Sequence, residues 1–254
     1  LSHKKSVFIF FWDKAYLVFT TFATMTPQLK IVATADGSNT IFNPQVGENY
    51  HSRHGALQES RHVFLKTGLE YFIEQNSAKE VSVLEVGFGT GLNFLLTAHY
   101  CTANAITLHY TGIEAYPLSQ DMISSTEYEQ YVPVEIWEAF LSNYQASLHQ
   151  VVPLNPHCQL QTPHCKLLQF TTEKQYDVIY FDAFAATHQP EMWNQDAISH
   201  TIQFLKPGGV FVTYAITGNL KRMLKALSLQ VQKVPGAPGK REMLRALKGF
   251  IVHG

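Results

Sequence analysis

Three carboxylates in this chain stand where an apolar run ends: Glu85 in "VSVLEVGFGTGLNF" (Val81–Phe94), Glu114 in "AITLHYTGIEA" and Asp182 in "YDVIYFDAF". An ionised carboxylate accepts several hydrogen bonds or holds a positive charge, so each is a candidate for binding or catalysis. Gly87, Gly89 and Gly91 follow the first of them, alternating between a strand pattern and an apolar helix pattern. Glycine allows a sharp turn and lets another group lie against the main chain. The stretch therefore predicts a ligand-binding turn. A ligand-free strand-to-helix turn and a dinucleotide-binding turn are the alternatives, the latter normally spaced G-x-G-x-x-G rather than E-x-G-x-G-x-G. Far along the chain, Lys240 and Arg241 occupy a Gly/Pro loop, "PGAPGKRE", where basic side chains can reach phosphates.

These residues need a scaffold, and the pattern of the chain supplies one. Two β-rich runs flank Asp36-Gly37 in "KIVATADGSNTIFN", a hairpin signal, and a helical stretch follows near 56–75. Strand and helix patterns then alternate. Strands are predicted at 81–86, up to Glu114, over "QLQTPHCKLLQF", over "YDVIYFDAF", over "GVFVTYA", near 229–234 and near 243–252. Helices are predicted at 91–101, within 118–150, near 194–205 and at 218–227. Such alternation implies an α/β fold, a mostly parallel seven-stranded sheet with helices on both faces. Ligands of such sheets bind beyond the carboxyl ends of the strands, where all three carboxylates lie. The expected organisation is an apolar N-terminal extension (1–24), a hairpin and cap region (25–75) and the sheet domain (76–254).

Composition narrows the class. The net charge of −1 over 254 residues hides an asymmetry. From Lys206 onward nine Lys/Arg face Glu242 alone, giving +8 against −9 for the rest, which points to a polyanionic partner. Three cysteines suit a reducing cytosol better than a disulfide framework. The His-Cys pairs of "HCQLQTPHC" match no common zinc spacing, so no metal is expected. The apolar stretch "SVFIFFWDKAYLVFTTFATM" is broken by Asp13-Lys14, which argues against a membrane span or signal peptide. One expectation is that translation begins at Met25.

The glycine stretch resembles motif I of class I S-adenosylmethionine methyltransferases, which implies their Rossmann-like fold and S-adenosyl-L-methionine as cofactor. Three further segments narrow the likeness: "DGSNTIFN…YHSRHGALQESRHVF" (Asp36–Phe64), "YFDAFAATHQPEMWNQD" (Tyr180–Asp196) and "PGKREML" (Pro238–Leu244). Together, and in this order, they resemble the bacterial tRNA 5-aminomethyl-2-thiouridine methyltransferases, found as the methyltransferase half of the bifunctional MnmC protein and as the stand-alone MnmD. The resemblance implies methyl transfer to the exocyclic amine of a modified uridine at the tRNA wobble position. It further implies an anticodon loop as partner, a separate flavin-dependent oxidase preparing the substrate, and a cytoplasmic setting.

On this resemblance Glu85 serves the cationic end of the cofactor, directly or through water, Glu114 accepts from its ribose diol, and Tyr50, Ser52 and Glu59 line its pocket. Asp182 is the catalytic candidate. Methyl transfer moves positive charge from sulfur to nitrogen, and a carboxylate beside that nitrogen stabilises the change. An amine resembling lysine is protonated at neutral pH, and a carboxylate also favours that unreactive form. Asp182 is thus assigned positioning and charge stabilisation before proton acceptance. Phe184 and Trp193 are expected to wall the pocket or stack on the base, with a place in the core as the equal alternative, and Lys240 and Arg241 to contact phosphates, with plain surface as theirs. Lys221, Arg222 and Lys225 extend that footprint, while His51 and His54 read as a solvated loop. The competing activities are aminopropyl transfer of the spermidine-synthase type and RNA binding without catalysis.

Overall fold

The computed structural model describes residues 28–249. The expectations for residues 1–24 and for a start at Met25 lie outside the described residues, as do the last positions of the strand predicted at 243–252.

The chain enters through a small antiparallel sheet of β1 (Lys30–Ala33), β2 (Asn39–Asn43) and the two-residue β3 (Glu48–Asn49). Its first turn is tied by Asp36, whose Oδ1 accepts from the Ser38 amide (3.0 Å) and from the Thr34 hydroxyl (2.8 Å). The other oxygen, Oδ2, accepts from the Gln58 amide (2.9 Å) in helix α1 (Ala56–Glu59). An acidic side chain satisfies the unpaired amides of a helix start, so this one aspartate closes the hairpin and seats the helix. The helix continues with wider π winding over Ser60–Glu70 into α2 (Tyr71–Asn76).

The main sheet is built from β4 (Glu80–Val86), α3 (Leu92–Ala103), β5 (Thr107–Ile113), α4 (Gln120–Ser124), α5 (Val134–Ser147), β6 (Val152–Asn155), β7 (Cys158–Gln161) and β8 (Tyr176–Phe181). Helix α6 (Gln195–Ile202), β9 (Leu205–Thr213), α7 (Gly218–Ala226), β10 (Leu229–Pro235) and β11 (Glu242–Lys248) complete it. The strand order is β10-β11-β9-β8-β4-β5-β7-β6. Strands β7, β5, β4, β8 and β9 run parallel, and β11, β10 and β6 are antiparallel to their neighbours.

All seven expected strands are present, and β6 adds an eighth at the edge. The third is much shorter than its pattern: β7 stops at Gln161, and Leu167–Gln169 form a single 3₁₀ turn with Leu168 exposed. Pro163 has no amide hydrogen to continue a ladder, which ends the strand there.

Period-two alternation sorts the strands onto two cores. Val81, Val83, Tyr110, Val178, Tyr180 and Val212 face one side, beneath α3 and the π segment. Leu84, Val86, Ile179, Phe181 and Phe211 face the other, beneath α6 and α7. The sheet's order reverses at the β4–β8 pair, the crevice where open α/β sheets place their ligands. Glu85 and Asp182 both extend the row that faces α3, which decides their environment.

Candidate active site

The three glycines adopt positive φ (90°, 55° and 79°), so the turn needs the residue type found there. Much of the crowding comes from the protein itself. A β-carbon on Gly87 would meet the Asp182 carbonyl at 2.4 Å, one on Gly89 the Tyr50 ring at 3.0 Å, and one on Gly91 the Phe140 ring at 2.8 Å. The aromatic insertion before β6 is thereby explained: Phe140 and Tyr144 are fully buried and pack against Phe88 of the turn.

Beyond the strand ends opens a cleft of about 980 Å³, lined by Gly87–Thr90, Glu114, Tyr116, Asp182, Phe184 and Tyr50 among others. Glu114 sits at its floor. Its Oε2 accepts from the Gly89 amide (2.8 Å) and its Oε1 from the Tyr116 amide (2.9 Å). Each oxygen retains a lone pair, and burial pushes the carboxyl above its ordinary range while the amides oppose that rise. Exposed Tyr116 and Leu168 stand at the rim beside it and offer apolar walls.

Asp182 is half-buried, and its amide donates to the Val86 carbonyl (2.9 Å), anchoring the loop after β8 against β4. Its Oδ2 accepts from Asn93 Nδ2 at 2.8 Å. The same Nδ2 donates to Glu85 Oε1 at 2.7 Å, so one amide bridges carboxyls from two adjacent strands. Burial chiefly, and then the charge of Glu59, push Asp182 up to about 8, with Asn93 and Lys240 pulling the other way. Asn93 was not singled out from sequence. The available signal was its place in the first turn of the helix after the third glycine, on the face turned to the sheet.

Glu85 does not line the cleft. It is fully buried beneath α3, its second oxygen accepting from the Tyr110 hydroxyl (2.8 Å). Burial and the nearby Asp182 push its carboxyl well above the usual range. Ser52 and Glu59 also lie away from the cleft lining: the Ser52 amide donates to Glu59 Oε2 (2.7 Å), and Lys240 Nζ meets Glu59 Oε1 at 2.9 Å. Lys240 is therefore engaged within the protein, 3.9 Å from the Tyr214 ring centroid, instead of extending toward a phosphate. Arg241 beside it is exposed.

Of the two expected aromatics, Phe184 reaches the cleft, edge-on to Tyr50 with centroids 5.1 Å apart. Trp193 belongs to the core. It packs on Phe181 and Tyr214, and its Nε1 donates to the Phe184 carbonyl (2.7 Å), holding the "DAFA" loop in shape. His51 is likewise buried, paired with the Thr40 hydroxyl at 2.9 Å and pushed down to about 4 by burial. Its solvated reading is overturned because the β1–β2 hairpin folds over it. His54 is exposed, as expected.

The basic C-terminal third is largely occupied. Lys206 pairs with Asp177 (2.9 Å), Lys233 with Glu242 (3.3 Å) and Lys240 with Glu59. Arg245 lies over the Tyr71 ring, and Lys248 donates to the Leu205 carbonyl (2.7 Å). Lys221, Arg222, Lys225 and Arg241 form no ion pair among the described residues. No helix among the described residues is long and apolar enough to cross a membrane.

Residues 133–249 match a family described as S-adenosyl-L-methionine-dependent methyltransferase. Over that stretch the chain is similar to the S-adenosyl-L-methionine-dependent methyltransferases. Among its relatives are proteins named tRNA 5-methylaminomethyl-2-thiouridine biosynthesis bifunctional protein MnmC. The one from Leptospira interrogans is 30% identical over 214 residues, covering 81% of this chain and 33% of the relative. The one from Idiomarina loihiensis is 32% identical over 211 residues, covering 77% and 34%. The chain thus spans about a third of the length of these curated relatives. The crystal structure of MNMC2 from Aquifex aeolicus superposes with a TM-score of 0.71 at 21% identity, covering 88% of this chain and 71% of that one, and shows the fold.

The cofactor of this methyltransferase family is S-adenosyl-L-methionine, and the residues present fit it. Thr90 lines the cleft, and its buried hydroxyl meets no hydrogen-bond criterion among the described residues, the Tyr128 hydroxyl being its nearest polar neighbour, so it has bonding capacity to spare for a ligand. Glu114 presents two acceptors, and the turn keeps a side chain away from the cleft at Gly87 and Gly89.

Proposed function

We propose that this methyltransferase acts on the exocyclic primary amine of a 5-aminomethyl-(2-thio)uridine at the wobble position of tRNA, giving the 5-methylaminomethyl product. The observation that carries the reading is the placing of Asp182: a carboxyl held by Asn93 at the mouth of an aromatic-walled cleft, one strand away from the glycine turn. The names of the relatives, all bearing on thiouridine biosynthesis in tRNA, support the choice of substrate.

When bound, S-adenosylmethionine supplies an electrophilic methyl group. Glu114 would hold the ribose hydroxyls on its spare lone pairs, and Tyr116 and Leu168, at the rim of the cleft, would border the purine. Glu85 acts from below, by orienting Asn93, rather than by touching the ligand. Phe184 and Tyr50 shape the mouth into which the uridine turns, a base already unpaired in an anticodon loop and so cheap to extrude.

Asp182 gains a stronger role than its sequence context suggested. The gap between an ordinary aspartate and an alkylammonium is about six pK units, which makes proton acceptance improbable. With Asp182 at about 8 the gap narrows to roughly two, so its ionised form, the minority species at neutral pH, can orient the incoming ammonium and take its proton as the nitrogen lone pair is released. Lys221, Arg222 and Lys225 on α7, with Arg241, are the side chains left to meet tRNA phosphates. A separate flavin-dependent oxidase is the proposed source of the primary amine.

The test is incubation with labelled S-adenosylmethionine and bulk tRNA from a strain lacking the gene, followed by nucleoside analysis. Label in 5-methylaminomethyl-(2-thio)uridine is the expected result; label in a polyamine, or in no nucleoside, overturns the reading. Replacing Lys221, Arg222 and Lys225 together by Gln should weaken tRNA binding and flatten its salt dependence by up to about three phosphate contacts. An unchanged slope removes α7 from the interface.

A further inference from the structure

The loop that carries Lys240 is built as a clasp. The Gly236 amide donates to the Arg241 carbonyl (3.2 Å) and the Lys240 amide to the Ala237 carbonyl (2.9 Å), closing a compact turn between β10 and β11. Gly239, at φ 86°, lies so close under the His54 ring that a β-carbon would meet it at 2.2 Å. The loop is thus pressed against the N-terminal cap, and Lys240 points inward. Its ammonium joins three elements: Glu59 of α1 at 2.9 Å, the ring of Tyr214 after β9 at 3.9 Å, and through Tyr214 the catalytic loop, since the Tyr214 hydroxyl donates to the Ala183 carbonyl at 2.9 Å. Glu59 is itself 6% exposed and held by the Ser52 amide. A buried carboxylate of this kind requires a partner, because an unpaired charge there is strongly unfavourable.

We propose that Lys240 is a positioning residue for Asp182, acting through Glu59 and the Tyr214 ring, and not a phosphate ligand. The inference rests on the reading of Asp182 as the reacting carboxylate. Its logic is charge balance at close range. The charges of Glu59 on α1 and Glu48 on β3 act on Asp182, Lys240 is the cation that counters them, Asn93 Nδ2 ties Asp182 (2.8 Å) to Glu85 of β4 (2.7 Å), and Tyr214 is a neutral neighbour. Glu48 is committed elsewhere, accepting from the Ala185 amide (2.9 Å). Lys240 therefore decides how much of Glu59's negative field reaches Asp182, and its seat on Tyr214 keeps the Ala183 carbonyl, and with it the loop, in register.

The experiment is a double-mutant cycle with two readouts. Carbon-13 shifts of the Asp182 carboxyl, assigned by loss of the signal in Asp182→Asn, give its titration midpoint with no substrate present. Methylation of substrate tRNA gives the pH profile of kcat/KM, and tRNA binding against salt gives the number of phosphate contacts. Lys240→Met should raise the midpoint and the acid limb of the profile by roughly one pH unit, since Glu59 is left uncompensated. Glu59→Gln should lower both, and the double variant should return near the parent value. The salt slope should be the same in all. A midpoint unmoved by Lys240→Met overturns the proposal, whether or not the salt slope falls; a slope lower by about one makes Lys240 a phosphate ligand. If Lys240→Met does not fold, the comparison of Glu59→Gln with the double variant decides the matter, because equal midpoints deny Lys240 any influence. A midpoint that moves as stated in an enzyme that methylates no tRNA upholds the clasp and rejects the substrate.

Discussion

Glu114 and Asp182 occupy equivalent places, each one residue beyond a parallel strand of the same sheet, yet they are held by opposite means. Glu114 is gripped by two backbone amides, Gly89 and Tyr116, which offset much of the cost of burying a negative charge. Asp182 receives one side-chain amide and stands among other carboxylates, so its proton is retained to about 8. Burial raises both; what compensates it sets their chemistry. A carboxylate fixed by backbone is suited to permanent recognition. One fixed by side chains, near its own proton affinity at physiological pH, is suited to exchange.

The sharpest way to break this comparison is to neutralise each carboxylate in turn. Asp182→Asn should lower kcat by about 10² to 10³-fold while the Kd for S-adenosylmethionine stays within a few-fold, read by single-turnover methylation and calorimetry. Loss of cofactor binding instead would make Asp182 a recognition group like Glu114. Glu114→Ala should do the reverse, weakening cofactor binding by roughly tenfold to a hundredfold with kcat at saturation nearly kept. Collapse of kcat at saturating cofactor would erase the distinction.

Asn93→Ala probes what holds the exchangeable site. Removing the bridging amide should cut kcat by about tenfold and move the acid limb of the pH profile upward, because Asp182 loses the hydrogen bond that favours its charged form. An unmoved limb would mean the amide only packs. The smallest expected effect is on stability. The folded state keeps the Asp182 proton between its ordinary value of 3.8 and about 8 while the unfolded chain releases it, so stability falls as pH rises through that window. Asp182→Asn removes this slope, and thermal denaturation at pH 5 and pH 8 should differ from the parent's by a few degrees. Identical pH dependence would show that Asp182 titrates normally.

Much of the frame was legible in the chain. The alternation of apolar runs specified the parallel sheet, and E-x-G-x-G-x-G specified the turn, because positive φ and close approach restrict a position to glycine whatever surrounds it. Glu114 and Asp182 were legible for the same local reason: a strand that ends on an acid projects it past the sheet. Glu85 looks identical in sequence, yet it was misplaced, since only the register against β8 and the packing of α3 turn it inward to Asn93 and Tyr110. The sequence left Trp193 open between pocket and core, and it did not show that His51 and Lys240 turn inward. Each lies between the sheet's elements, and whether such a side chain meets solvent depends on which other segment covers it.

The sequence alone determined the fold class, the glycine turn and the acids at the strand ends, since these follow from periodicity and backbone sterics within a few residues. Tertiary structure decided which carboxylate is buried, which is held by backbone and which keeps its proton. It also decided that five of nine C-terminal cations serve the fold. Those outcomes depend on desolvation and on charges brought together across more than 100 residues, as in Glu59 and Lys240, and no local pattern encodes that distance.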